Sequence, residues 1–230
     1  SQLQQSINSV SATSYENNHK KTLFLSLLDF LSKGAYGKKY SRSGERFINF
    51  VENFCDWEHV NRISLPQLVL VLNRTSKDEL LDLKHFTTKE LSLWPDDQHI
   101  PLNYDPERSE VESFLPSGCK VIGDVRLDKL SHVSLLWISR NKLVHEMRFP
   151  GKAANVFDFE YPHYHSLGKI VQCASTGKFI MEPEMTWELV YPIPFFNRLI
   201  ENAVKNLRKY FIENNIDPIK SYNLTSNWLE

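Results

Sequence analysis

Apolar residues recur at helical spacing in several stretches of the chain, and at alternating spacing in one. From Glu16 to Lys33 they fall on one face (Leu23, Phe24, Leu27, Leu28, Leu31), and Gly34 is the expected stop. A second helix is predicted near 45–55 from Phe47, Ile48, Val51 and Phe54. A third starts at Pro66, a residue suited to a first turn, and runs to Asn73. Ser76 and Glu79 hold the reciprocal positions of a capping box that opens a short fourth segment. The run 128–149 has helical spacing with no internal Gly or Pro, and a last long helix is expected over 195–214.

Between 87 and 126 Pro95, Pro101, Pro106 and Pro116 break the pattern, so only short elements fit. Past Pro150 the period changes. Residues 156–159, 169–173, 178–181 and 186–191 read as short strands, with Ser175–Lys178 as a hairpin turn. The predicted fold class is mainly α: a helical bundle with a small antiparallel β insertion, 153–191, between the last two long helices. Residues 1–15 are expected to be a flexible polar arm, 16–216 a single domain and 217–230 a tail.

The 230-residue chain is 41% hydrophobic and 24% charged, enough for a core without disulfides or metal. Its formal charge of -1 argues against holding nucleic acid by bulk electrostatics and leaves room for a local phosphate site. Cys55, Cys119 and Cys173 are widely spaced and odd in number, which predicts no zinc site, no disulfide framework and a reducing, cytoplasmic compartment. No apolar run approaches membrane-spanning length and the first twenty residues are polar, so neither a membrane span nor a signal peptide is expected.

The chemistry-bearing candidate is Arg140. At about 100° per residue, Val133, Leu136, Trp137, Leu143, Val144 and Met147 fall within roughly 60° of it, with His132, Ser139, Lys142 and Glu146 opposite. An arginine inside an apolar stripe must be paired, solvated in a cleft or held at an interface. His145 lies five residues on, and Asn141 shares its ridge. Arginine matches a phosphate, histidine moves a proton near neutral pH, and an amide orients either one. Such a set suits metal-independent cleavage of an RNA phosphodiester, by attack of the ribose 2′-hydroxyl on the adjacent phosphate. One histidine is too few for both proton transfers, so a symmetric homodimer would complete the site. The alternative reading makes Arg140 one half of an ion pair with an acid such as Glu52 or Glu201, and His145 an ordinary surface residue.

The segment Arg140-Asn141-Lys142-Leu143-Val144-His145 resembles the signature of the HEPN superfamily, an arginine followed by four to six residues and a histidine, with a polar residue directly after the arginine. The resemblance implies a HEPN-like helical bundle that dimerises and an endoribonuclease with no cofactor or metal. It assigns Arg140 and His145 as catalytic residues and Asn141 as the accompanying polar group. It further implies a cognate antitoxin or defence-system partner, or, in silent members, a module that binds nucleotides or proteins. Met147 stands where one toxin branch carries a tyrosine.

Two other groups carry candidate chemistry. Lys38, Lys39, Arg42 and Arg46, interleaved with Tyr36 and Tyr40, would suit contacts to single-stranded RNA; the same composition also suits a solvated loop. His163 and His165 would share one face of an extended segment, as metal ligands must, but Pro162 and the lack of a nearby cysteine favour an exposed aromatic loop.

Overall fold

The computed structural model describes residues 2–11, 16–95, 99–151, 159–172 and 179–222. Its helices in chain order are α1 Gln2–Asn8, α2 Glu16–Tyr36, α3 Ser43–Phe54, α4 Leu65–Leu72, α5 Leu81–Ser92, α6 Arg108–Ser113, α7 His132–Glu146 and α8 Ile193–Glu213. The strands are β1 His99–Pro101, β2 Val121–Ile122, β3 Val125–Arg126, β4 His163–Gln172 and β5 Phe179–Val190. The fold is mainly helical, with an antiparallel β insertion between α7 and α8. The chain forms two compact units, residues 1–61, 133–149 and 193–230 in one and 62–132 with 150–192 in the other, where the pattern had suggested one domain.

The first unit is a helical bundle. Phe24, Leu25 and Leu28 of α2, Phe47, Phe50 and Val51 of α3, Leu136 and Leu143 of α7, and Phe196 and Ile200 of α8 are all buried. Two asparagines of α8 finish α3: Asn206 and Asn202 donate to the carbonyls of Phe54 and Cys55, each at 3.0 Å, satisfying groups that a helix end leaves open. The polar start of the chain is not a free arm over residues 2–8. Ile7 is buried, and Gln4 donates to Asn197 Oδ1 at 3.0 Å and Glu201 Oε1 at 3.2 Å on α8. Amides dock this helix where an apolar stripe would have announced it.

Gly34 does not stop α2, which continues to Tyr36 and ends before Gly37 at φ +54. Gly34 is there for space. A Cβ on it would lie 2.7 Å from the Tyr222 hydroxyl, which donates to the Phe30 carbonyl at 2.7 Å while the Tyr222 ring stacks on Phe30.

The second unit has its own core of Ile63, Leu68, Leu72, Leu80, Leu83, Val111, Ile122 and Leu127. The proline-rich stretch therefore organises a unit of its own. The capping box at Ser76 does not form: a 3-10 turn, Asp78–Leu80, begins after Lys77 with no side-chain cap, and α5 follows it. The sheet order is β1-β4-β5. The expected strands at 178–181 and 186–191 merge into β5, which passes Pro183 by a register shift opposite Leu167/Lys169. Proline lacks a ladder donor, so the irregularity falls where it does the least harm. The expected strand at 156–159 lies largely, and the turn at 175–178 wholly, outside the described residues.

The unit closes around one carboxylate. Asp105, 1% exposed, accepts from the Leu65 backbone N–H at 2.7 Å and the Tyr164 hydroxyl at 2.8 Å, and its Oδ2 lies 2.7 Å from His132 Nε2. The one phenol proton of Tyr164 goes to Asp105, so Ser64 Oγ, 2.8 Å from the same oxygen, donates to it, and the Tyr191 hydroxyl donates to the His132 carbonyl at 3.2 Å. Burial, and then the Asp105 charge, push both phenols well above the usual tyrosine range, so they remain donors. Asp105→Ala strands several of these groups at once. The expected loss is about 3–5 kcal/mol, larger than for Ser64→Ala, as measured by urea denaturation of the two variants.

Candidate functional site

The expected single helix over 128–149 is two elements. A 3-10 turn, Leu127–Leu130, ends at Ser131, which is extended and bridges to Ile63 in antiparallel fashion, and α7 begins at His132. The helix ends at Glu146, with Met147 at φ +53 and its N–H on the Leu143 carbonyl at 3.1 Å.

The buried strip of α7 also differs from the expected one. His132, Val133, Ser134, Leu136, Ser139 and Leu143 are buried, so the expected apolar positions Val133, Leu136 and Leu143 do face inward and three polar residues join them. Arg140 is half-buried and lies between Val133 and Leu136 on the helical wheel, while Met147 is 65% exposed. Ser139 and His132 face inward because each has an internal partner. Ser139 Oγ donates to the Leu135 carbonyl at 2.9 Å, and His132 meets Asp105.

Arg140 is an ion-pair member. Its Nη2 donates to Asp29 Oδ2 of α2 at 2.8 Å and its Nη1 to Asn141 Oδ1 at 3.2 Å, while its Nε is buried with no hydrogen-bond partner among the described residues. Its guanidinium carbon lies 5.1 Å from the centre of the Trp137 ring. Trp137 in turn reaches α3 where Gly44 allows it, since a Cβ there would lie 2.9 Å from the indole nitrogen. The partner is neither Glu52 nor Glu201. The signal for Asp29 was in the sequence, for it is the one acidic residue between Glu16 and Glu45 and stands in the apolar run of α2.

Asp29 has a second cation. Arg46 Nη2 donates to Asp29 Oδ1 at 3.0 Å, and Arg46 Nε donates to Ser32 Oγ at 3.1 Å. The four basic candidates therefore separate. Lys38, Lys39 and Arg42 are exposed, with Lys39 over the rings of Tyr36 and Tyr40 and Arg42 3.6 Å from Glu45. Arg46 instead belongs with Arg140, so helices α2, α3 and α7 bring two guanidiniums and one carboxylate together, each side chain 16–17% exposed.

His145 is exposed and has no hydrogen bond or ion pair among the described residues. Beside it, Lys142 and then Arg148 hold the Glu146 carboxyl below the usual glutamate range. Arg140 and His145 diverge by roughly 140° on the helix, and within one chain the structure does not join them. Among the described residues no group of three or more His, Cys, Asp or Glu side chains is placed to hold a metal ion, and no helix is long and apolar enough to cross a membrane. Cys55 is buried beside apolar neighbours, and burial pushes its thiol far above the range of a reactive cysteine.

Because Asp29 serves two cations, removing one arginine leaves the carboxylate paired, whereas removing the carboxylate leaves two guanidiniums facing each other. Asp29→Ala is therefore expected to destabilise more than Arg140→Ala, by at least about 1 kcal/mol in denaturant melts. A second test concerns Lys21 of α2, 4% exposed, with its ammonium 4.7 Å from the centre of the Phe149 ring. Burial lowers its pKa from 10.5 to about 8. The folded state thus holds this proton more weakly than the unfolded chain. Its penalty is complete below about 8 and relaxes as pH rises toward 10.5. At about 1.4 kcal/mol per pH unit, Lys21→Met should stabilise the protein at pH 7 by up to about 3 kcal/mol, a gain that shrinks by pH 10. Melts of both proteins across that range read the difference.

Compared with models of protein families, with curated protein sequences and with solved structures, the chain matches none, so its function has to be argued from the site itself.

Proposed function

We propose that the protein is a metal-independent endoribonuclease of the HEPN type, acting on single-stranded or looped RNA as a homodimer. The observation that carries the reading is the state of α7. It presents an anion-seeking Arg140 held in place by Asp29 and Asn141, and, on its outer ridge, an exposed His145 with no partner among the described residues. Asp29 fixes the direction of the guanidinium and is shared with Arg46, so the cluster carries two cations for one anion and retains a net positive charge.

In the proposed reaction the ribose 2′-oxygen forms a bond to phosphorus and the bond to the 5′-oxygen breaks. One imidazole takes the 2′-hydroxyl proton and a second delivers a proton to the leaving 5′-oxygen. The products are a 2′,3′-cyclic phosphate, which hydrolyses to a 3′-phosphate, and a 5′-hydroxyl. Arg140 would stabilise charge on the phosphorane-like transition state. Each chain offers one histidine in this motif, and a second copy of α7 would supply the other. Ile138, exposed on the same ridge, gives a dimer contact an apolar element, and Lys38, Lys39 and Arg42 would follow the RNA backbone. A cognate antitoxin or defence-system partner would restrain such an activity.

A specific observation favours a second reading. The Arg140–Asp29 pair is half-buried and complete within one chain, as in a silent helical module that binds nucleotides or proteins. The two separate in one assay, incubation of mixed RNA in EDTA with wild type and His145→Ala. The ribonuclease reading expects cleavage to fall by about 10²–10⁴-fold in the variant, with stability unchanged within about 1 kcal/mol, because His145 is exposed. Equal cleavage by both proteins, or none on a broad set of RNAs, leaves the binding module. Sedimentation at micromolar concentration is expected to show a dimer.

A further inference from the structure

The sequence paired His163 with His165, and the sheet adds a third imidazole, His99, 66 residues before His165. His99 of β1 is the direct antiparallel partner of His165 on β4, and His165 Nδ1 lies 3.1 Å from His99 Nε2. The two rings have centroids 4.8 Å apart and planes inclined by 34°. His163, two residues along the same strand, packs edge-on to His99 at 5.5 Å, and its Nδ1 lies 3.0 Å from the Tyr161 carbonyl. Phe159 covers the group, 4.5 Å from His99 and 4.3 Å from His163 between ring centres. On the opposite face of β4, Tyr164 enters the Asp105 network, so the backbone that carries these rings is anchored from behind.

Two neutral imidazoles at this separation share one ring proton: the N–H of one points at the lone pair of the other. The same spacing suits a different occupant. Two nitrogens bound at about 2.0–2.1 Å to one ion, at an angle of about 90–110°, lie roughly 2.9–3.4 Å apart. We propose that His99 and His165 chelate a divalent transition-metal ion through Nε2 and Nδ1, with water completing its coordination. The ion displaces the hydrogen bond between the rings. The ring that donated it moves its proton to its other nitrogen, so no proton is lost from the pair and both ligands stay neutral. With imidazole donors and neither thiolate nor carboxylate in the pair, the preferred ions are Cu²⁺, Ni²⁺ and Zn²⁺ rather than Mg²⁺ or Ca²⁺. The site is a two-ligand chelate, which accords with the absence of a three-residue metal cluster among the described residues. It belongs to the second unit, and its metal is no part of the proposed RNA cleavage.

The test uses the full chain titrated with Zn²⁺ by calorimetry and with Cu²⁺ by electron paramagnetic resonance. One ion per chain is expected, with the Cu²⁺ spectrum showing coupling to two imidazole nitrogens. His99→Gln and His165→Gln should each weaken binding by at least about 10- to 100-fold, the loss that even an outer-sphere change brings. His85→Ala, which alters an exposed histidine of α5, should leave binding unchanged. Should a glutamine variant fail to fold, the wild type still decides, because bound Zn²⁺ should protect His99 and His165, but not His85, from acylation by diethyl pyrocarbonate. No saturable binding, wild-type affinity in either glutamine variant, or protection that includes His85 to the same degree would overturn the proposal.

Discussion

The Asp29 carboxylate, taken by Arg46 on one oxygen and by Arg140 on the other, is the contact on which the candidate site depends. It joins α2, α3 and α7, whose buried faces otherwise meet mainly through apolar side chains that could slide or repack. Hydrophobic burial is non-directional and fixes how much surface meets, not which atom faces which. Charged hydrogen bonds fix atoms, and here they set the rotation of α7 by holding the Arg140 guanidinium on Asp29. The outward direction of His145 follows from that rotation, because both residues ride on one rigid helix.

The second unit uses a carboxylate differently. Asp105 is sealed from solvent, and its Oδ2 meets His132 in a geometry that would suggest acid–base chemistry were it open. It is closed on all sides, with both side chains 0% exposed, so no substrate reaches it. Its role is architectural. A buried anion must be fully partnered, and each partner comes from a different part of the chain: Leu65 at the start of α4, His132 at the start of α7 and Tyr164 on β4. Together the two carboxylates show how accessibility separates a candidate site from a structural knot of the same composition.

The outer β1–β4 register has a comparable effect on histidine. Three imidazoles collect on one face because the strand period is two and because β1, only three residues long, pairs with β4 opposite His165. None of the three is placed by local propensity.

The sequence by itself determined the elements and their class. Leu and Phe at 3.6-residue spacing specified α2, α3 and α8 because a helix has to bury one face, and the change of period past Pro150 specified strands. It also placed Arg140, Asn141 and His145 on one helix, since separations of one to five residues are fixed by helical geometry. Tertiary structure decided everything that required a distant partner. Whether a polar side chain faces in or out depends on what waits there: Ser139 and His132 turned inward to a carbonyl and a carboxylate, Met147 turned outward, and Gln4 docked a helix that composition had made look like an arm. Asp29 illustrates the limit. Its isolation among apolar neighbours was visible in the chain, but that it would take Arg46 and Arg140 at once could not be read there, because a long-range pairing has no local period to announce it.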